Sequence, residues 1–282
     1  MPVDLDEYRD QSRQSWARMA SGWERRREWV QEQTASVNDW LLEKVDPQPG
    51  QTVLDIASGT GDLGFRIAER VGGDGKVMST DFSPEMVDVA RRVGEARGVS
   101  NVEHRVLDAE RMDLDDDSFD AVVCRFGYML MADPGAALAE TRRVLRDGGP
   151  LGFAVWAQPD RNPWAAIPAM TLVERGHFPP PEPGAPGMFA LNEPDHIRGV
   201  VTQAGFPEPE LEEITFAFHY SDADDAWDAL ISLAGPLAQA LQPLPEDERE
   251  ASRQAIVERL GQFRNEDGSY TAPATSWGVL VR

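Results

Sequence analysis

A single cysteine, Cys124, in 282 residues leaves nothing to form an internal disulfide and no all-cysteine metal site. Lysine is almost as scarce: Lys44 and Lys76 stand against 25 arginines, so nearly all the positive charge is carried by guanidinium groups. The four histidines fall at no recognisable ligand spacing, and no metal is expected. No apolar run approaches the ~20 residues needed to cross a bilayer. The opening Met1-Pro-Val-Asp-Leu-Asp-Glu-Tyr8 lacks the basic-then-apolar order of a signal peptide. These absences predict a cytoplasmic protein without a membrane partner.

Acid is what the chain has in excess. Forty-nine Asp and Glu against 27 Lys and Arg give a net charge of -22, which repels nucleic acid and anionic membranes. Arginine bias accompanies GC-rich genomes; joined to so many acids it also fits high-salt surroundings, where self-repulsion is screened. An apolar fraction of 41% supports a real core, and the length suits one large domain or a core with an appendage.

Residues 4 to 44 predict helices, with Trp16, Met19, Trp23, Val30, Val37, Trp40 and Leu41 at helical spacing. The stripe can pack on a core, and Tyr8, Trp16 and Trp23 can also close over a ligand. An alternating core follows, with strands near 52–57, 76–81, 102–106, 119–124 and 151–156 and helices near 61–71, 84–97 and 134–146. This rhythm implies an α/β, Rossmann-like doubly wound sheet, mostly parallel and covered on both faces. The proline- and glycine-rich stretch 159–194 reads as a cap. Beyond it a helix is expected over 194–204, then an extended segment over 210–220 and helices over 222–260 broken near Gly235-Pro236 and Pro243. A last strand is expected over 274–281. The final pair of strands completes seven and adds an antiparallel edge, with the helices inserted between them. Three units result: an N-terminal helical lid (1–47), a nucleotide-binding core (48–158), and a cap and insertion with the closing strands (159–282).

The chemistry concentrates in Thr52-Val-Leu-Asp-Ile-Ala-Ser-Gly-Thr-Gly-Asp-Leu-Gly64 and in Asp81 at the end of the next strand. A strand passing through a glycine-rich turn into a helix presents backbone amides to a nucleotide-containing ligand, and an acid one strand away can hold ribose hydroxyls. The same residues satisfy the dinucleotide pattern, so an NAD-dependent oxidoreductase is one reading. Asp55, four residues before Gly59, opposes it, because a carboxylate there repels pyrophosphate and favours a ligand bearing a positive group. Asp108-Ala-Glu110 offers a carboxylate and an amide to an adenine edge.

These residues, with Thr80-Asp-Phe-Ser-Pro-Glu-Met86, Phe119-Asp-Ala-Val122 and Arg142-Arg-Val-Leu-Arg-Asp-Gly-Gly149, resemble the class I S-adenosylmethionine-dependent methyltransferases. The likeness is nearest to the ubiquinone/menaquinone-biosynthesis-like group, called methyltransferase type 11, and covers residues 10–158. It implies S-adenosyl-L-methionine as cofactor. Asp55, Ala57, Gly59, Thr60, Gly61 and Arg125 would lie about its methionine end, Asp81 at the ribose, and Phe82, Met86, Asp108, Ala109 and Glu110 about the adenine. It further implies methyl transfer from a sulfonium to O, N or C of an acceptor. Arg125-Phe-Gly-Tyr128 replaces the Asn-Pro-Pro-Tyr-type tetrapeptide that often serves amino or base acceptors, which with the acidity favours a small molecule, partly apolar or aromatic, and no nucleic acid. Where the acceptor needs a base, His177, His219 and Tyr128 are the candidate catalytic residues. A non-catalytic cofactor-binding scaffold is a further alternative, and the chain can be monomer or homodimer.

Overall fold

The computed structural model describes residues 5–182 and 184–282, so residues 1–4 of the expected N-terminal segment and Pro183 of the proline-rich stretch lie outside it. Strands β1 (Thr52–Ile56), β2 (Lys76–Asp81), β3 (Val102–Val106), β4 (Ala121–Arg125), β5 (Leu151–Trp156), β6 (Glu210–Tyr220) and β7 (Tyr270–Val281) form one sheet in the order β3-β2-β1-β4-β5-β7-β6. The first five strands are parallel, and β7 runs antiparallel to both β5 and β6. The chain winds outward from β1 in both directions, so the crevice above the carboxyl ends of β1 and β4 is the switch point where such sheets bind ligands.

Two aliphatic layers sandwich the sheet. Leu54, Ile56, Val122, Cys124, Phe153 and Val155 face one side. Val53, Val123 and Ala154 face the other, under α3 (Ala35–Val45) and α4 (Asp62–Val71), whose Val37, Leu41, Leu63 and Ile67 are sealed from solvent. Each such side chain contributes about 1.5–3 kcal/mol by burial. Strand alternation therefore also places Asp55 and Arg125, in step with Val53 and Val123, on the α3–α4 face.

The expected N-terminal helices are α1 (Leu5–Arg25), α2 (Arg27–Gln33) and α3, with breaks at Arg26 and Thr34. Next come α5 (Pro84–Arg97), capped by Ser83, and α6 (Pro134–Val144), capped by Asp133. The cap contains a helix that the sequence reading did not anticipate, α7 (Pro163–Glu174). Pro163 takes the first turn, where its missing N–H costs nothing, while Pro168 sits inside and masked the helical pattern. Helix α8 (Pro194–Gln203) precedes β6. The insertion is α9 (Ala223–Leu233), α10 (Gly235–Leu241) and α11 (Glu246–Leu260). Three expected boundaries also shift. The fourth strand starts at Ala121, because Phe119 instead makes a lone bridge to Leu145. Helix α6 stops at Val144, and β7 begins at Tyr270, opposite Tyr220.

Helix α1 joins the two halves of the molecule. One side packs Trp16, Ala20 and Trp23 on Met86 and Val89 of α5. The other meets α9 and α10 so closely that a Cβ on Gly22 would stand 2.3 Å from the Ser232 carbonyl oxygen. Gly22→Ala is expected to cost about 1–3 kcal/mol by forcing these helices apart, read as a drop of several degrees in the thermal midpoint.

Candidate functional site

Past β1 the chain turns sharply. Ala57 takes φ +53°, and Gly59 and Gly61 take +56° and +83°. Only glycine adopts such angles freely; the Ala57 methyl holds its angle at some steric cost. The turn is fixed from β2: Ser58 N–H donates to the Thr80 carbonyl at 2.8 Å, and Ser79 Oγ to Ser58 Oγ at 2.8 Å. Asp81 receives the Gly59 and Ser83 amides, each at 3.0 Å, one on either carboxylate oxygen. Each oxygen keeps a further lone pair for a ligand hydroxyl.

Asp55 lies below this turn, 1% exposed, and its Oδ2 has no hydrogen-bond partner. A Cβ on Gly64 would come within 3.0 Å of that oxygen, so with glycine there the first turn of α4 roofs the carboxylate without crowding it. Burial pushes Asp55 up to about 7, against the pull of Arg125, and Asp81 up to about 6, against its amide bonds. Asp62, 3% exposed, opens α4; its Oδ2 accepts from Thr60 Oγ1 at 2.8 Å and its Oδ1 pairs with Arg27 of α2. Arg125 leaves the end of β4 and donates to Thr34 Oγ1 at 2.7 Å. Burial lowers the pKa of its guanidinium, against the charges of Asp62 and Asp55. Three buried carboxylates around one turn repel a pyrophosphate and attract a cation.

Beyond β3, Asp108 accepts the Glu110 amide at 2.9 Å. Glu110 itself is committed elsewhere: Arg9 of α1 donates Nε to its Oε2 at 2.9 Å, and the Ala132 amide reaches Oε1 at 2.9 Å. Tyr8 Oη donates to the Leu130 carbonyl at 3.1 Å, tying the start of α1 to the loop after β4. Phe82 is half-buried at the rim of the turn, whereas Met86 is fully buried against α1.

Beside Arg125 begins a run of aromatic rings. Phe126, next to Arg125 and left-handed at φ +60°, stacks on Trp156 at 4.0 Å between ring centroids. Trp156 meets Trp164 at 5.0 Å, Trp164 meets Phe218 at 4.2 Å, and Phe218 meets Trp29 of α2 at 5.6 Å.

A family model described as a methyltransferase domain matches residues 53–149. A demethylmenaquinone methyltransferase of Thermus thermophilus is 36% identical over 204 residues, which is 65% of this chain and 86% of that protein. The chain belongs to the class I S-adenosylmethionine-dependent methyltransferases. The ubiquinone/menaquinone biosynthesis C-methyltransferase UbiE of Shewanella oneidensis is 36% identical over 124 residues, 44% of this chain and 49% of that protein, so this methyltransferase matches about half the length of that relative. A putative methyltransferase of Bacillus halodurans shares the fold, with TM-score 0.56 at 23% identity over 87% of this chain and 97% of that one. The cradle suits the family's cofactor: an orphaned buried carboxylate oxygen on Asp55 and an amide-braced Asp81 answer a cationic ligand that carries a ribose.

The three candidate bases of this methyltransferase are not gathered around the turn. Tyr128 is fully buried; its hydroxyl shares a 2.7 Å hydrogen bond with Thr141, and burial raises its pKa well above the ordinary value. His177 follows α7 and bonds Glu248 of α11 at 3.2 Å. His219 points away from Phe218 and Tyr220, is exposed, and meets Thr271 Oγ1 at 3.3 Å. Cys124 is buried, with its thiol pushed up to about 12, so it acts as core filler. Among the described residues no group could hold a metal ion, and no helix is long and apolar enough to cross a membrane. The sequence reading passed over Asp62, Thr34 and Arg27. The signal for Asp62 was its place directly after Gly61 at a helix start; Arg27 lies in α2 and Thr34 at the junction of α2 and α3, both far off in sequence.

Asp55 and Asp81 hold their protons to higher pH folded than unfolded, so ionising them removes stability as pH rises from about 4 to 7, and the full cost stands above that. Asp55→Asn is therefore expected to stabilise the ligand-free chain at pH 8 by roughly 1–3 kcal/mol and to change little at pH 4.5, measured by urea unfolding at both values.

Proposed function

We propose that this methyltransferase acts on a small, planar, partly apolar acceptor, with a quinol-like aromatic ring as its best-supported form. The observation that carries this is the aromatic run from Phe126 through Trp156 and Trp164 to Phe218, which starts one residue from Arg125. The names of the two relatives point the same way, since both concern quinone biosynthesis. The net charge of -22 speaks against nucleic acid. A freely diffusing acceptor met in the cytoplasm, by a monomer or homodimer, fits this reading.

In this reading Asp55 and Arg125, with Ala57, Gly59, Thr60 and Gly61, surround the amino-acid end of the cofactor; Asp81 takes the ribose hydroxyls; and Phe82, Asp108 and Ala109 border the adenine. Met86 and Glu110 support that site from behind, Met86 beneath α1 and Glu110 through Arg9. The cofactor supplies an electrophilic methyl on a sulfonium. The chain aligns the acceptor beside it and excludes water, which is the main protein contribution when the cofactor carries the chemistry. No histidine joins the aromatic run, which suits an acceptor whose nucleophile is already electron-rich, as an ionised quinol ring is. The N-terminal lid (1–47) retains cofactor, and the cap with its insertion (159–282) selects the acceptor.

Calorimetry with S-adenosylmethionine, S-adenosylhomocysteine and NAD should show binding of the first two only, with Asp81→Ala weakening them at least about tenfold through loss of two charge-assisted hydrogen bonds. Because the ligand favours ionised carboxylates, its affinity should climb from pH 5.5 to 7.5, with proton release seen as buffer-dependent heat. Labelled methyl should then appear on a reduced naphthoquinone. Label passing only to a secondary amine would overturn the acceptor reading while leaving the cofactor reading intact.

A further inference from the structure

Away from the cofactor cradle lies a groove of about 1250 Å³ between α1 and the insertion helices α9, α10 and α11, and no residue of the glycine turn or of the ends of β2 and β4 lines it. Its floor is apolar, with Met19, Trp227 and Ile231. Ile231 is 42% exposed, one of four exposed large apolar side chains among the described residues.

Its rim carries Arg18, Arg25 and Arg249, all exposed. Among the described residues most arginines of this acidic chain are ion-paired; these three are not. Arg18 donates to Gln239 at 2.9 Å and Arg25 to Ser232 at 2.6 Å, both neutral partners, and Arg249 makes no ion pair among the described residues. Glu246, Asp247 and Glu250 also line the groove, the first two in the first turn of α11 and the third paired with Arg253. Arg18, Arg25, Arg249 and Arg253 outnumber these three acids, so the lining is net positive on a molecule with a net charge of -22.

We propose that this groove is a second binding site, for a small anionic amphiphile: a carboxylate head held by the arginines and a hydrocarbon body laid over Trp227 and Ile231. A guanidinium matches a carboxylate in shape and charge, and the apolar floor gains by excluding water from a hydrocarbon chain. Neither half suffices alone, because exposed ion pairs are weak and the floor is shallow. Since one wall is the lid and the other the insertion, the occupant bridges the two elements that enclose the cofactor and acceptor sites.

The test is titration of the full chain with decanoate below its micellar concentration, read by calorimetry and tryptophan fluorescence. One decanoate per chain should bind, at least about tenfold more tightly than butyrate or 1-decanol, and more weakly as salt rises. The combined Arg18→Gln, Arg25→Gln, Arg249→Gln variant should lose at least about tenfold in affinity, as should Ile231→Asp by wetting the floor. Single Arg249→Glu, at an exposed position, should give a smaller loss in the same direction, with the thermal midpoint of each variant confirming that it folds. Decanoate binding that is absent from the parent chain, unchanged in folded variants lacking the arginines, matched by decanol, or unsaturable at many molecules per chain would overturn the proposal. None of these outcomes depends on whether S-adenosylmethionine binds, so failure here is separable from failure of the cofactor reading.

Discussion

A carboxylate buried where water cannot reach it is the constraint around which this molecule is organised. Asp55 is placed by strand parity on the face covered by α3 and α4, and Gly64, with no side chain, lets α4 start directly above it without crowding it. Its charge calls for a compensating cation, and the chain supplies Arg125 from the next strand, two residues beyond Asp55's register partner Val123. Arg125 in turn rests on Thr34, at the junction of α2 and α3, while Arg27 closes on Asp62. These two contacts link the cradle to α2 and to the junction of α2 and α3, while the packing of α3 on the sheet is apolar.

Catalysis on such a framework is a matter of alignment. The cradle contains carboxylates, amides and one guanidinium, and the run of rings begins beside it at Phe126. That set suits electrostatic steadying of a cationic cofactor. The imidazoles of His177 and His219 are engaged at the periphery.

The sequence made the core legible because each of its signals is local. A strand, a glycine turn and a helix start lie within a dozen residues, and the parity of Asp55 and Asp81 within their strands can be read without a partner. What escaped detection was non-local or contradicted a local rule. Glu110 looked available for adenine, but its partner Arg9 lies 101 residues away. Helix α7 was concealed by Pro168, a residue that ordinarily ends helices but here sits within one whose other residues pack on the sheet and on α11. His219 is different in kind, since Phe216, Phe218 and Tyr220 alternate along β6 and an odd-numbered residue between them must face outward. That signal was present in the sequence. Tyr128 offered no such clue, because a tyrosine after a strand is as ready to bury its ring as to present its hydroxyl.

The close crossing at Gly22 and Ser232, reinforced by Arg26 on Asp225 and Asp228, has an evolutionary corollary. The lid and the insertion stand some 200 positions apart in the chain, yet they share a seam with no slack. Lineages that remodel the insertion must carry matching changes in α1. Diversification of this scaffold is therefore expected to proceed by paired exchange of its two ends around an unaltered middle, and a grafted insertion without its cognate first helix would arrive as a mismatched joint.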